Sequence, residues 1–168
     1  PAEGVHEGYG ESSLQLQKEK KDTAKAPLNI ALEAKEYTIT FAANKKTLTR
    51  KKLFDWSQES DEQIRYYSGT ATYKTTFRWK NKPNKDQQIY LNLGTVYNLA
   101  TVRVNGVDCG TIWTAPYRAD ITGALKKGIN ELEIEVTNTW ANALTGADEG
   151  KAPFDGIWTN AKYRRAEK

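Results

Sequence analysis

The chain has 168 residues, with 25 Lys or Arg against 21 Asp or Glu for a formal charge of +4, and it contains one Cys, one His and no Met. That length suits one domain with a two-layer core, and basic residues dispersed along the whole sequence do not point to nucleic acid. A lone Cys109 and a lone His6 exclude a disulfide framework, thiolate or histidine metal clusters, and Ser-His-Asp or Cys-His catalysis.

Residues 1–27 are polar and rich in Gly, Ser, Glu and Lys, with only Leu14 and Leu16 in brief alternation. They are expected to form an N-terminal arm, either a linker or an edge strand, with the "KEKKDTAK" run as a solvated tail. A sandwich domain is expected over residues 28–168. The absence of Met at position 1 is what a chain beginning within a longer precursor would show. No apolar run approaches the length needed to span a membrane.

From Leu28 onward the apolar residues follow a period of two. In "YTITF" Tyr37, Ile39 and Phe41 share one side, as in a half-buried strand. "AANKKTLTRKK" reads as a polar connection, and "LFDWSQESDEQIRYYSG" as an irregular excursion pinned by its aromatic residues. One of Tyr66 and Tyr67 is expected to face outward if that stretch is extended. The next strand is the clearest: Ala71, Tyr73, Thr75, Phe77 and Trp79 lie on one face, with Thr72, Lys74, Thr76 and Arg78 on the other.

After a turn at "NKPNKD", "QIYLNLG" points Ile89, Leu91 and Leu93 inward. "ATVRVNGVDCG" predicts a hairpin, since Asn105-Gly106 accommodates the positive φ angles of a type I′ turn. Its register puts Cys109 on the apolar side, as a small core hydrophobe rather than a reactive thiol. "ADITGALKKGIN" predicts a capped helical turn ended by Gly128. "ELEIEV" buries Leu132, Ile134 and Val136 and sends Glu131, Glu133 and Glu135 to the solvated side, with no apolar neighbours to raise a carboxyl pKa. Beyond Trp140 the sequence reads as loop up to Ile157–Tyr163, a last short strand. Six or more strands without a long helix predict an all-β, antiparallel β-sandwich.

The segments "YYSGTATYKTTF", "LNLGTVYNLATVRVNGVDCGTIWTAPYRADITGALKKGINELEIEVTNTWAN" and "WTNAKY" together resemble a known family. It is the galactose-binding-like, sugar-binding-like jelly-roll domain of bacterial glycoside hydrolases. The sequence looks most like the C-terminal domain of the family 106 rhamnosidases and is more distantly similar to the N-terminal sandwich of family 2. The resemblance runs from about Tyr37 to Tyr163. It implies an eight-stranded jelly roll, an extracytoplasmic bacterial parent enzyme, and catalysis by carboxylates on a separate barrel domain that nothing in this chain matches. Relatives continue past the equivalent of Tyr163 into a closing strand. Here either that strand is absent, leaving an edge, or the arm before Leu28 takes its place.

Sugar-binding modules set aromatic faces against a pyranose and frame it with polar side chains. The residues of that kind at strand ends and in loops are Trp113, Tyr117, Arg118, Trp140, Asn142 and Trp158. They serve either carbohydrate or a domain interface. The expected partners are the catalytic domain of the parent enzyme and an oligosaccharide, with no nucleic acid and no membrane. No cofactor and no catalytic residue are expected. Loop carboxylates at Asp55, Asp61, Asp148 and Asp155 leave room for a structural calcium ion, although none has EF-hand spacing.

Overall fold

The computed structural model describes residues 14–21, 26–81, 84–96, 98–148 and 150–151. They form an all-β sandwich of two antiparallel sheets. The strands are β1 (Gln15–Lys20), β2 (Leu28–Ala31), β3 (Tyr37–Phe41), β4 (Thr47–Arg50), β5 (Thr70–Trp79), β6 (Gln87–Asn92), β7 (Leu99–Val104), β8 (Val107–Ile112), β9 (Arg118–Asp120) and β10 (Gly128–Thr137). One sheet has the order β2-β1-β6-β9 and the other β4-β3-β5-β10-β7-β8. The chain passes repeatedly from one sheet to the other, so most neighbours within a sheet are distant in sequence.

The inner faces follow from the two-residue repeat. Ile39 and Phe41 on β3, Ile89 and Leu91 on β6, and Val102 and Val104 on β7 are fully buried, joined by Ile121 after β9. Each such side chain contributes about 1.5–3 kcal/mol of hydrophobic stabilisation. The expected stripe on β5 is present: Ala71, Tyr73, Phe77 and Trp79 are buried while Lys74, Thr76 and Arg78 are exposed. β5 and β10 pair over their whole lengths, from Gly128↔Trp79 to Thr137↔Thr70. The β7–β8 hairpin turns at Asn105 (φ 52°) and Gly106 (φ 78°), the positive angles that the Asn-Gly pair predicts.

Several expectations are corrected. The arm before Leu28, expected as a linker or an edge strand with residues 18–25 solvated, instead supplies an interior strand: β1 lies inside the four-stranded sheet, between β2 and β6, and Leu14 and Leu16 are 2% exposed. The sandwich therefore starts ahead of Leu28. The polar connection after Phe41 contains β4, whose Leu48 packs on the core while Thr47 and Thr49 face water. Tyr66 and Tyr67 are both buried, at 7% and 6% exposure. The stretch is not extended there, because Tyr66 caps the single-turn helix α1 (Glu62–Arg65) and breaks the alternation.

Tyr67 then forms edge-on contacts with Phe41 and Trp56, with ring centroids 5.0 and 6.1 Å away. Its hydroxyl donates to the Thr70 carbonyl at 2.8 Å and accepts the Ala43 N–H at 3.2 Å. Residues 121–125 make one turn closed by Leu125 N–H to the Ile121 carbonyl, and Gly128 opens β10 rather than ending a helix. The stretch after Trp140 is not loop but the helix α2 (Ala141–Asp148). The segment Ile157–Tyr163 and the question of a closing strand lie outside the described residues.

Candidate functional site

Strand register brings two of the predicted residues, Trp113 and Trp140, to one end of the sandwich. Ile112 at the end of β8 and Val136 near the end of β10 both pair with Ala100 on β7, one from each side. Two inter-strand spacings, roughly 10 Å, separate them. Trp113 follows directly on Ile112, and Trp140 follows four residues after Val136. These indoles are 70% and 61% exposed, the largest apolar side chains left in solvent among the described residues, with Leu99 beside them at 37%.

Asparagines and a serine hold the backbone of this end. Asn138 Oδ1 accepts the Gly69 N–H at 2.8 Å and its Nδ2 donates to the Tyr67 carbonyl at 2.9 Å. Asn98 Oδ1 accepts the Thr139 N–H at 3.1 Å. Ser68 Oγ accepts the Ala143 N–H at 3.0 Å, satisfying a donor in the first turn of α2. None of these three was singled out by the sequence. Their signal is only that small polar residues sit immediately outside strand ends, where loose backbone donors need acceptors.

The other predicted residues behave differently. Tyr117 is half-buried against the core, and its carbonyl accepts the Leu93 N–H at 2.8 Å. Asn142 is half-buried in the first turn of α2. Arg118 does not join the loop end. It opens β9 on the outer face of the four-stranded sheet, lies over the Tyr90 ring at 4.1 Å and pairs with Glu19 at 2.5 Å. Trp158 and Asp155 lie outside the described residues, as does the side chain of Asp148.

The glutamate stripe on β10 is an ion ladder. Glu133 bonds Lys74 at 3.0 Å and Arg103 at 2.9 Å, and Arg103 also reaches Glu135 at 3.2 Å. Hydrogen bonding to Lys74, followed by Arg103, holds the Glu133 carboxyl below the usual carboxylate range. That is the opposite of what a general acid requires. The ladder floors a shallow groove of about 610 Å³, edged by Glu36, Thr38 and Glu131.

Cys109 packs on the flank of the core on the edge strand β8, where burial pushes its thiol above the ordinary value. Asp55 and Asp61 are engaged as caps: Asp55 accepts from Ser57 N–H and Oγ–H, while Asp61 accepts from Gln63 N–H and pairs with Lys46. Among the described residues, no group of three or more His, Cys, Asp or Glu converges as metal ligands would.

Comparison with known proteins is consistent with this architecture. Residues 41–167 match the family model described as glycosyl hydrolase 2 galactose-binding domain-like. A protein named "Putative beta-glucuronidase" from Formosa agariphila is 46% identical over 104 residues, which is 61% of this chain and 9% of that protein. The solved structure of a rhamnosidase from Novosphingobium sp. PP1Y aligns with a TM-score of 0.73 and 37% identity, covering 78% of this chain and 13% of that one. A beta-D-glucuronidase from Dictyoglomus thermophilum shares the fold at a TM-score of 0.51 and 19% identity, over 77% of this chain and 21% of its own. The chain thus spans only a small part of the enzymes it matches.

Proposed function

The chain belongs to the glycosyl hydrolase 2 galactose-binding domain-like family, and we propose from that premise that it is a non-catalytic accessory domain of a rhamnosidase-like, extracytoplasmic bacterial glycoside hydrolase. In this reading its loop end, with Trp113 and Trp140, packs on the catalytic domain. The observation that carries the proposal is the coverage: 78% of this chain corresponds to 13% of a rhamnosidase at 37% identity. A module of that proportion leaves the chemistry to the rest of the enzyme.

The exposure of two indoles at one end supports the orientation. Interface cores are enriched in aromatic residues and depleted of Lys and Glu, and the charged ladder on β10 is unsuited to such a core. The low-lying Glu133 carboxyl supports the absence of a catalytic role.

The test compares the full-length parent enzyme with its Trp113→Ser/Trp140→Ser variant. A single thermal transition should split into two and kcat/KM should fall, while the purified 168-residue chain melts as before. An unchanged parent enzyme would overturn the packing, and glycosidase turnover by the purified chain would overturn the non-catalytic assignment. If the purified chain binds rhamnose- or galactose-containing oligosaccharides and loses them on Trp113→Ala, the loop end is a tether to glycan instead.

A further inference from the structure

The two outer faces of this sandwich are chemically different. On the six-stranded sheet the outward residues are, apart from Leu99 and Ile129, mostly threonines and charges, many of which satisfy one another: Thr70 bonds Thr137 at 2.8 Å, Thr101 bonds Thr111 at 2.9 Å, and Lys74, Glu133, Arg103 and Glu135 form the ion ladder. On the four-stranded sheet the register lines up Gln15↔Asn92↔Arg118, Gln17↔Tyr90↔Asp120 and Glu19↔Gln88, with Asn29 opposite Gln17 on β2. Five carboxamides therefore share this face: Gln15, Gln17, Asn29, Gln88 and Asn92. Asn is disfavoured in strands, where Thr is preferred, so conformational preference does not account for the amide face as it does for the threonine face.

These amides are also uncommitted. Among the described residues the side chains of Gln15, Gln17, Asn29 and Gln88 make no hydrogen bond within the protein, and Asn92 uses only its Oδ1, towards Gly94 N–H at 2.9 Å. Beside them the Arg118 guanidinium is locked on the Tyr90 ring at 4.1 Å and by Glu19 at 2.5 Å. That arrangement fixes the guanidinium on an aromatic ring and leaves further N–H donors on it uncommitted. Glu19 and Arg118 cancel in charge, and Asp120 already accepts from Thr122 N–H and Oγ–H.

We propose that the outer face of the β2-β1-β6-β9 sheet is a binding surface for a neutral oligosaccharide, centred on Gln17, Gln88 and Tyr90. A carboxamide presents an acceptor and two donors side by side, which matches neighbouring hydroxyls that both donate and accept. Glu19 and Asp120 against Arg118 leave about one net negative charge, which disfavours a polyanion and is too little to hold a basic peptide. A protein partner would find little apolar area here beyond the part of Tyr90 that Arg118 leaves open and the methyl of Ala31. Four strands span about 15 Å, which suits several sugar rings in a row rather than one. The surface is separate from the loop end and stands whether or not that end packs on a catalytic domain.

The experiment titrates the isotope-labelled 168-residue chain with neutral tetraoses of galactose, rhamnose, glucose and xylose, and with tetragalacturonate as the anionic comparison. Side-chain amide resonances of Gln15, Gln17 and Gln88 should move with at least one neutral tetraose. The Gln17→Ala/Gln88→Ala variant should bind that tetraose about tenfold more weakly, and Trp113→Ala should bind it equally well. The proposal is overturned if no neutral tetraose moves those resonances, if the shifts are confined to Trp113 and Trp140, or if tetragalacturonate binds more tightly. The shifts are read on the unaltered chain, so the test does not depend on the variant folding.

Discussion

The Oδ1 of Asn130, on a side chain with no exposed surface, accepts a hydrogen bond from Asn105 Nδ2 at 2.9 Å. It joins the β7–β8 turn to the start of β10, 25 residues on in sequence. Asn130 Oδ1 also accepts the Lys126 N–H at 2.9 Å, and its Nδ2 donates to the carbonyls of Lys126 at 2.8 Å and Gly128 at 3.1 Å. Asn105 in turn donates to the Ala124 carbonyl at 2.8 Å and accepts the Glu131 N–H at 3.0 Å. Buried polar atoms left without partners cost about 1–3 kcal/mol each. Asn130→Ala should therefore lower unfolding free energy by about 2–4 kcal/mol. Asn105→Gly keeps the positive φ and should cost about half as much. Urea titration of both variants checks this, and equal losses would show that the turn rather than the amide pair carries the stability.

Gly146 on α2 faces the Tyr66 ring so closely that an added Cβ would lie 2.7 Å from Cγ. In an exposed helix Gly→Ala stabilises by about 1 kcal/mol. Here the sign should reverse, and Gly146→Ala should destabilise by about 1–3 kcal/mol. Tyr66→Ala in the same background should relieve the strain. A thermal melt of Gly146→Ala at or above the parent value would contradict the packing.

The lowered Glu133 carboxyl makes stability depend on pH. Its folded-state pKa lies below the unfolded value because Lys74, then Arg103, favours the charged form. The contribution is complete above the unfolded pKa of about 4.3 and is lost as pH falls through the folded one. Glu133→Gln should flatten the fall in Tm between about pH 5 and about pH 3, by about 1–2 °C for a partly exposed network. Parallel Tm curves for the two proteins would leave no role for the ladder.

Burial raises the Cys109 thiol, so little thiolate is present near neutrality. Alkylation by iodoacetamide at neutral pH should be slower than for free cysteine. It should accelerate once denaturant exposes the strand. Labelling at the free-cysteine rate would identify a reactive site on β8.

Trp113, at 70% exposure, contributes little to the folded domain. In the isolated chain Trp113→Ala should change stability by no more than about 0.5 kcal/mol, by urea or heat. A larger loss would mean that the indole belongs to the core and is not available to a partner.

The strands with an apolar residue at every second position were legible from sequence. β3, β5, β6, β7 and β10, and the Asn-Gly turn between β7 and β8, stand where alternation and turn chemistry put them. The hidden elements have one apolar residue or two. β1 shows only Leu16, with Leu14 just ahead of it, and β4 shows Leu48, because strands of four to six residues with a polar outer face carry little pattern. α2 was concealed by Gly146, a poor helix former kept by its contact with Tyr66, and by the small size of Ala141, Ala143 and Ala147.

Within the candidate site, the loop position of Trp113 and Trp140 could be read from their place after strand ends. The direction of Arg118 could not, since its partner Glu19 is 99 residues away. The amide face was likewise invisible, because its members come from the three strands β1, β2 and β6 and none is distinctive alone.

The placement of β10 has a kinetic consequence. This strand lies between β5 and β7, pairing with both, yet among the ten strands of the described residues it is the last to be synthesised. Until Gly128–Thr137 is available, β4-β3-β5 and β7-β8 are two separate ribbons with unsatisfied edges facing one another. Closure must wait for contacts as distant in sequence as Gly128 with Trp79 and Thr137 with Thr70, a topology that folds in milliseconds to seconds rather than microseconds. A ribosome-bound chain lacking β10 would expose the edges of β5 and β7 to other strands. In the cell, the hazardous interval for this domain is therefore set by how quickly β10 is delivered.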